Sequence, residues 1–163
     1  MSKNKVKSPD SLKKQGQQLA ALCWRMEKGE PQVLLITSRG TGRWVVPKGW
    51  PMEGRAPWDA AAIEAWEEAG VKGRVEDRPL GQFSYEKYLN RSRSKSRNCD
   101  VAVYPLRVDV LSEDFPEKEE RQRQWFSLEA AAEKVDEPSL QALLTSFAKA
   151  RALGQAVEET AKS

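Results

Sequence analysis

The stretch Pro47–Val71, PKGWPMEGRAPWDAAAIEAWEEAGV, decides the fold that we predict for this chain. Its glutamates Glu64, Glu67 and Glu68 stand at positions i, i+3 and i+4, which share one face of a helix. Like charges at this spacing cost roughly 0.2–0.5 kcal/mol per pair, so the face favours a positive partner. A hard divalent cation such as Mg²⁺ or Mn²⁺ suits it best, because such ions prefer oxygen ligands. For Glu67 and Glu68 alone, a solvated acidic face is the alternative.

Apolar residues recur on another face of the same helix, and this spacing predicts a buried stripe. The stripe consists of Trp58, Ala61, Ala62, Ala65 and Ala69. Because most of these side chains are small, we expect the helix to approach its support closely. Asp59 in the first turn suits the helix dipole, and Gly70 stands where a C-cap glycine would end the helix. The segment therefore predicts a loop, a helix with an acidic outer face, and a second loop.

The glycines and glutamates of this stretch resemble the Nudix box, the signature of the MutT-like pyrophosphohydrolases. That pattern is a Gly, five residues, a Glu, seven residues, then Arg-Glu-aliphatic-any-Glu-Glu-any-Gly-aliphatic. The positions that match are Gly49, Glu64, Ala65, Glu67, Glu68, Gly70 and Val71. The resemblance extends over about Gln17 to Phe147. It implies an α/β (α+β) Nudix fold, an α/β/α sandwich in which a mixed central sheet lies between the box helix and a C-terminal helix.

The resemblance also implies a reaction, the hydrolysis of a phosphoanhydride bond in a nucleoside-diphosphate-linked substrate. Glu64, Glu67 and Glu68 would hold Mg²⁺ or Mn²⁺, with the carbonyl oxygen of Gly49 as a further ligand. Glu64 or Glu68 would act as the catalytic residue that orients or deprotonates the attacking water. Some relatives take their base from a loop outside the box, and the candidates for that role here are Glu117, Glu119 and Glu120.

Two positions depart from the pattern. Arg55 stands where the family has its first Glu, and Ile63 stands where it has Arg. In the family that Arg helps to orient the metal-binding carboxylates, so we expect one orienting contact to be missing and Arg55 to add positive charge near the site. Glu53 is the nearest carboxylate to position 55. These departures motivate an alternative function, a Nudix-fold nucleotide- or polyphosphate-binding module with weak or no turnover.

The residues around the box look most like the diadenosine-polyphosphate and diphosphoinositol-polyphosphate branch. Four residues match places where such relatives contact phosphates, namely Ser38, Arg39, Arg43 and Lys48. In a predicted hairpin, basic residues alternate with Ser; they are Arg91, Arg93, Lys95 and Arg97. This basic hairpin would either reach a long polyphosphate or be a solvated turn. Gln17 and Gln18 occupy places where the inositol branch tends to carry basic residues, which favours a dinucleoside polyphosphate or a nucleotide.

Three aromatic residues offer a face for a nucleobase, but core or rim positions are the simpler interpretation. They are Trp24, Trp50 and Tyr88.

The composition excludes several other kinds of site. The chain has no His, which rules out Ser-His and Cys-His nucleophilic sites and His-ligated zinc. Cys23 and Cys99 lie among apolar residues, so we expect buried free thiols. A net charge of +3 is compatible with phosphorylated substrates. Nucleic-acid binding through the basic arm and hairpin is the least favoured function.

At 163 residues the chain is most simply one domain, which we place at residues 17–152 between a flexible N-terminal arm, 1–16, and a C-terminal tail, 153–163. No apolar run approaches the roughly 18 residues of a membrane span, and the N-terminus is polar. We therefore expect a cytoplasmic protein with a nucleotide or polyphosphate partner and no membrane partner, as a monomer or a homodimer. Pro105 inside the predicted strand Val101–Val110 indicates an edge strand or a bulge.

Overall fold

A computed structural model of the chain describes the backbone of residues 8–162 and the side chains of residues 8–151. Within these residues it contains eight strands and four helices. The strands are β1 Gln17–Glu27, β2 Glu30–Thr37, β3 Trp44–Val45, β4 Lys48–Gly49, β5 Val71–Val75, β6 Gly81–Tyr88, β7 Ser96–Leu111 and β8 Arg123–Ser127. The helices are α1 Pro9–Lys14, α2 Pro57–Ala69, α3 Leu128–Lys134 and α4 Pro138–Lys162.

The strands form one mixed sheet centred on β1 and β7, which run parallel from Gln17 opposite Asp100 to Trp24 opposite Arg107. β2 pairs antiparallel with the second half of β1 and also with β8. β3 pairs with the end of β2 and β4 with the start of β1, so residues 44–49 lie where β1 and β2 part. The prediction of a mixed central sheet is therefore confirmed.

Two separate cores cover the two faces of the sheet, because successive strand residues point to opposite faces. Along β1, Ala20, Leu22 and Trp24 pack with α3 and α4, whereas Leu19, Ala21 and Cys23 pack with α2. The box helix and the C-terminal helix thus lie on opposite sides of the sheet, as the α/β/α sandwich predicted.

Helix α2 forms as its sequence predicted. Pro57 is its first residue, Asp59 lies in its first turn, and Gly70 ends it in the left-handed conformation with φ of 69°. Ala61, Ala65 and Ala69 of the predicted stripe are fully buried, and Trp58 and Ala62 pack at the margin of the same core. A side chain on Gly70 would meet Phe115, Arg123 and the carbonyl oxygen of Ser112.

The prediction that Pro105 marks an edge strand or a bulge is wrong, because β7 lies inside the sheet. β5 and β6 both pair with the side of β7 away from β1, and their registers end at Val75 opposite Leu106 and Gly81 opposite Val103. The carbonyl oxygen of Pro105 accepts from Glu76 N at 2.9 Å in the gap between them. The ring nitrogen, which has no hydrogen to donate, faces the same gap, where no ladder bond is lost.

The chain ends are more regular than the sequence predicted. Part of the predicted arm forms α1, capped by the Ser8 hydroxyl, and residues 1–7 lie outside the described residues. The helical backbone of α4 continues through most of the predicted tail. Cys23 and Cys99 are buried free thiols, as expected. None of the helices described between residues 8 and 162 is both long and apolar enough to cross a bilayer.

Candidate active site

The site begins where β4 meets α2. Gly49 lies so close to the Glu64 carboxylate that a Cβ built on it would overlap the carboxyl carbon and both oxygens. Only glycine leaves room for this approach. The contact holds the carboxylate against the backbone of β4, as expected if Gly49 and Glu64 contribute ligands to one centre.

The three glutamates lie along one cleft, although their surroundings differ. Glu68 is only 7% exposed and accepts from the Lys48 backbone N at 3.3 Å, whereas Glu64 and Glu67 are half-buried. Burial raises the pKa of Glu64 to about 8, with further contributions from a hydrogen bond to Glu68 and from the charges of Glu68 and Glu67. Burial also raises the pKa of Glu68. Because the pKa values of both carboxyl groups are raised, the pair favours binding a proton when no cation is present.

Arg121 is the residue of this site that sequence reasoning missed. Its guanidinium lies 3.7 Å from a Glu68 oxygen and 3.0 Å from a Glu117 oxygen, and it donates to the Thr37 carbonyl oxygen at 3.1 Å. Its side chain is 9% exposed. Arg121 lies 53 residues beyond Glu68 in a polar loop, so no local spacing connects the two. An arginine two residues before a strand was the only available signal.

The loop that carries Arg121 is fixed to the end of α2 by backbone contacts. Glu117 N donates to the Glu67 carbonyl oxygen at 3.0 Å, and Ser112 N donates to that of Gly70 at 2.8 Å. Arg123 donates to the carbonyl oxygen of Ala69 at 2.7 Å. Of the three loop carboxylates that were candidates for a base, Glu117 alone lines the cleft; Glu119 and Glu120 lie in a separate hollow on the far side of the loop.

The cleft in front of these carboxylates has a volume of about 780 Å³. Besides Glu64, Glu67 and Glu68, its walls carry all four residues that were predicted to contact phosphates: Ser38, Arg39, Arg43 and Lys48. The cleft thus brings acidic and basic side chains together. A cleft of this kind suits a ligand that brings several phosphates to a bound cation.

The basic wall is held in place by carboxylates behind it. Arg39 lies 3.3 Å from Glu120, and Arg43 lies 3.1 Å from Glu137. The Ser38 hydroxyl contacts Thr41 and accepts from Arg43 N at 3.1 Å. These contacts order the guanidinium groups before a ligand arrives.

Lys48 differs from the two arginines because no carboxylate of the described residues pairs with it. Burial lowers the pKa of Lys48 despite the nearby charge of Glu68. Its Nζ lies 4.7 Å from the centre of the Tyr85 ring, and the Tyr85 hydroxyl donates to Gln18 at 2.6 Å. Gln18 is itself buried, so the glutamine noted in the first strand serves to orient this tyrosine.

The basic hairpin does not enter the cleft as one group. Arg93 lines a neighbouring hollow of about 490 Å³ and lies over Tyr88, while Arg91 and Lys95 line neither space. Arg97 does not line the cleft either, and its guanidinium contacts both α1 and the ring of Trp50 at the edge of the cleft. Only part of the predicted basic surface is therefore placed to meet a substrate.

The two departures from the box lie on the other side of α2. Arg55 and Ile63 do not line the cleft; they share a hollow of about 560 Å³ with Trp66 and Lys72. The expectation that Arg55 adds charge near the site is therefore wrong, because Arg55, in the loop before α2, lines this hollow and not the cleft. Arg121 contacts Glu68 from the opposite direction and supplies the orienting contact expected to be missing.

Comparison with known families decides the class of protein. The family model described as the NUDIX domain matches residues 16–147. The chain belongs to the Nudix family. It is accordingly a Nudix pyrophosphohydrolase, as the box predicted.

Known relatives and structures agree with this assignment. Human diphosphoinositol polyphosphate phosphohydrolase 3-beta is 36% identical over 125 residues, which cover 76% of this chain and 69% of that protein. Rat diphosphoinositol polyphosphate phosphohydrolase 2 is 36% identical over 114 residues, 69% of this chain and 58% of that protein. A C. elegans Ap4A hydrolase binary complex has the same fold, with a TM-score of 0.60 at 22% identity over 83% of this chain and 97% of that one.

Nudix hydrolases generally use divalent metal ions, and the residues present here fit such an ion. The donor set is all oxygen, from carboxylates and one backbone carbonyl, and the approach of Gly49 to Glu64 leaves a cradle that a Cβ would fill. As they stand, no three acidic or thiol side chains among the described residues surround a common point. Glu64 and Glu68 share a hydrogen bond, and Arg121 lies beside Glu68. A cation would replace the shared proton.

Proposed function

We propose that this Nudix protein hydrolyses a phosphoanhydride bond of a polyphosphate substrate in a metal-dependent reaction, with a dinucleoside polyphosphate as the first candidate. The observation that carries the proposal is the contact of Glu64 with Gly49 in a cleft that also carries basic side chains. In-line attack at a phosphoryl group requires positioning and charge neutralisation more than covalent chemistry. Fixed residues can supply both.

Each residue has a separate task in this reaction. Glu64, Glu67 and Glu68, with the Gly49 carbonyl, would hold Mg²⁺ or Mn²⁺, which supplies positive charge for the phosphate oxygens and makes a nearby water more acidic. Glu64 or Glu68 orients or deprotonates the attacking water. Arg121 keeps Glu68 in place, and Ser38, Arg39, Arg43 and Lys48 bind the phosphates of the substrate.

Two observations point to different substrates of this class. The diphosphoinositol polyphosphate phosphohydrolases among the relatives favour an inositol substrate. Gln18, buried and committed to Tyr85, provides no positive charge where a highly phosphorylated inositol would need it, which favours a dinucleoside polyphosphate.

The binding-module alternative has less support. It was motivated by Arg55 and Ile63, and both residues lie outside the cleft.

The test is turnover of a panel of substrates by the full chain with Mg²⁺ or Mn²⁺, followed by chromatography. The panel holds a dinucleoside tetraphosphate, nucleoside triphosphates, ADP-ribose and a diphosphoinositol polyphosphate. We expect cleavage of the dinucleoside tetraphosphate and no cleavage in excess chelator. Cleavage of the inositol substrate alone would replace the first candidate, and binding without cleavage of any member would favour the binding module.

A further inference from the structure

Three cations gather around one indole ring at the edge of the cleft. The Trp50 ring has Lys87 Nζ at 5.0 Å, the Arg97 guanidinium carbon at 5.5 Å and Lys13 Nζ at 5.6 Å from its centre. Trp50 directly follows β4, Lys87 lies in β6, Arg97 in β7 and Lys13 in α1. These elements lie far apart in the sequence. We call these four residues the Trp50 cluster.

The tertiary structure, rather than chance contact of mobile side chains, brings this cluster together. Arg97 donates to the carbonyl oxygens of Lys13 and Lys14 at 2.7 Å each, which caps the C-terminal end of α1. Asp100 N donates to the Gly16 carbonyl oxygen at 2.9 Å and ties the following turn to β7. Helix α1 is therefore docked on the sheet, and Lys13 is delivered to the ring by that docking.

The cluster has an excess of positive charge that no ion pair among the described residues offsets. Among the ion pairs of the described residues, none includes Lys13, Lys87 or Arg97. Arg97 also donates to two backbone carbonyl oxygens, but the face of Trp50 is the aromatic partner that all three cations share, and one ring satisfies three cations poorly. Lys87 and Arg97 are half-buried, as is Trp50, so water only partly screens the charges of the lysine and the arginine.

The position of the cluster relates it to the glutamates of the cleft. Trp50 directly follows Gly49, and consecutive Cα atoms are about 3.8 Å apart. Trp50 and Lys87 line the cleft itself, together with Glu64 and Glu68, while Lys13 and Arg97 approach the same ring without lining the cleft. A ligand whose phosphate meets the glutamates can extend along β4 and place its next anionic groups at the cluster.

We propose that Lys13, Lys87 and Arg97, arranged around Trp50, form an anion subsite that binds a phosphate group of the substrate away from the bond that is cleaved. The role in substrate binding rests on the proposed function above. The subsite selects ligands with a chain of several phosphates, because a short ligand held by the glutamates does not reach past Trp50. It also gives α1 a function, since the helix supplies one of the three charges.

Anion binding can be measured without turnover. Isothermal titration of the full chain with inorganic tripolyphosphate, in excess chelator, compares the wild type with the double variant Lys13→Gln/Lys87→Gln. The matched control is Lys72→Gln, which removes a lysine that lies 4.7 Å from the Trp66 ring on the other side of α2. We expect the double variant to lose affinity at least about tenfold, because two charge-assisted contacts are removed, and the control to stay within about twofold.

Equal affinity of the double variant and the wild type would overturn the proposal, as would an equal loss in the control or no binding by the wild type. A nucleobase site is the competing possibility at Trp50. In that case adenosine would bind, its affinity would fall in Trp50→Leu, and the lysine variants would bind tripolyphosphate normally.

Kinetics then separates this proposal from the proposed function. With Mg²⁺, the double variant should raise KM for a dinucleoside tetraphosphate about tenfold while kcat changes little, because the lysines do not contact the reacting phosphate. If the wild type binds tripolyphosphate through the cluster but cleaves no substrate, the anion subsite stands and the proposed function is contradicted. If the wild type cleaves the substrate and the double variant has the same KM, the proposed function stands and the anion subsite is contradicted.

Discussion

Glu67 and Glu68 are chain neighbours with different surroundings, yet both line the cleft. Glu68 is enclosed by Arg121 and the Lys48 backbone, whereas Glu67 is half-buried and its backbone receives the loop. We expect Glu67→Gln and Glu68→Gln each to lower kcat at least about 100-fold, because each removes a ligand charge without removing core packing. Initial rates and circular dichroism measure both effects. Glu133→Gln on the exposed face of α3 is the control, and wild-type rates in both site variants would contradict the metal-site assignment.

Arg121 contacts both Glu68 and Glu117, so we expect its replacement to change the binding of the cation as well as the rate. Arg121→Lys keeps the charge but not the planar fork that reaches two carboxylates and the Thr37 carbonyl. We expect kcat to fall about tenfold in Arg121→Lys and further in Arg121→Gln, with a higher Mg²⁺ concentration needed for half-maximal rate. Arg74→Gln, which breaks an exposed pair with Asp109, should change neither quantity. An unchanged metal dependence in Arg121→Gln would show that the arginine does not position the ligands.

At the scale of residues, the sequence predicts what is local and misses what is not. Glu64, Glu67 and Glu68 could be placed on one face because helix geometry fixes positions i, i+3 and i+4. Arg121 could not be connected to them, because tertiary folding alone brings its loop to α2. Arg55 and Ile63 were assigned to the site from the motif, but which side of the helix they face depends on the strand that supports it.

At the scale of elements, the approach of β4 to α2 is the contact on which the site depends. Gly49→Ala would place a methyl group on the Glu64 carboxylate, so we expect kcat to fall at least about 100-fold while the protein still folds. Gly40→Ala is the control, because a Cβ there meets nothing within 4 Å although φ is +87°. It should cost about 1 kcal/mol of stability and leave kcat unchanged. Similar kcat values for Gly49→Ala and the wild type would mean that β4 can retreat without disturbing the carboxylate.

The far side of α2 provides a second test at this scale. The double change Arg55→Glu with Ile63→Arg restores the family residues in the hollow that faces away from the cleft. We expect less than about a threefold change in kcat, because Arg121 already contacts Glu68 from the cleft side. A gain of tenfold or more would show that these two positions control the site and would revive the binding-module interpretation of the wild type.

Pro105 lies in a central strand, although proline cannot donate a hydrogen bond to a neighbouring strand. A proline inside an apolar run predicts an edge, because it cannot donate to a neighbouring strand. Here the strand is central, but two shorter strands share one of its sides and leave a gap at the proline. Nothing in the sequence of β7 announces the gap, since it is made by the lengths of β5 and β6.

At the scale of the whole molecule, the sandwich could be predicted from the sequence, whereas the charge distribution could not. Continuous apolar runs in β1 and β2, which are buried on both faces, and the apolar faces of α2 and α4 are sufficient to place helices on both sides of a sheet. The docking of α1 through Arg97 joins the N-terminus to the hairpin region, and this contact spans more than 80 residues. It converts two basic segments that looked separate into one positive rim.

We expect the cleft to hydrolyse its substrate only when the α2 glutamates hold a cation. The most direct measurement is the rate of dinucleoside tetraphosphate cleavage by the wild-type chain as Mg²⁺ is titrated from excess chelator to saturation, with Glu68→Gln in parallel. We predict no cleavage in chelator, a saturable rise with Mg²⁺ in the wild type, and a rate at least about 100-fold lower in Glu68→Gln at every concentration. Cleavage that persists in chelator, or equal curves for the two proteins, would contradict this expectation.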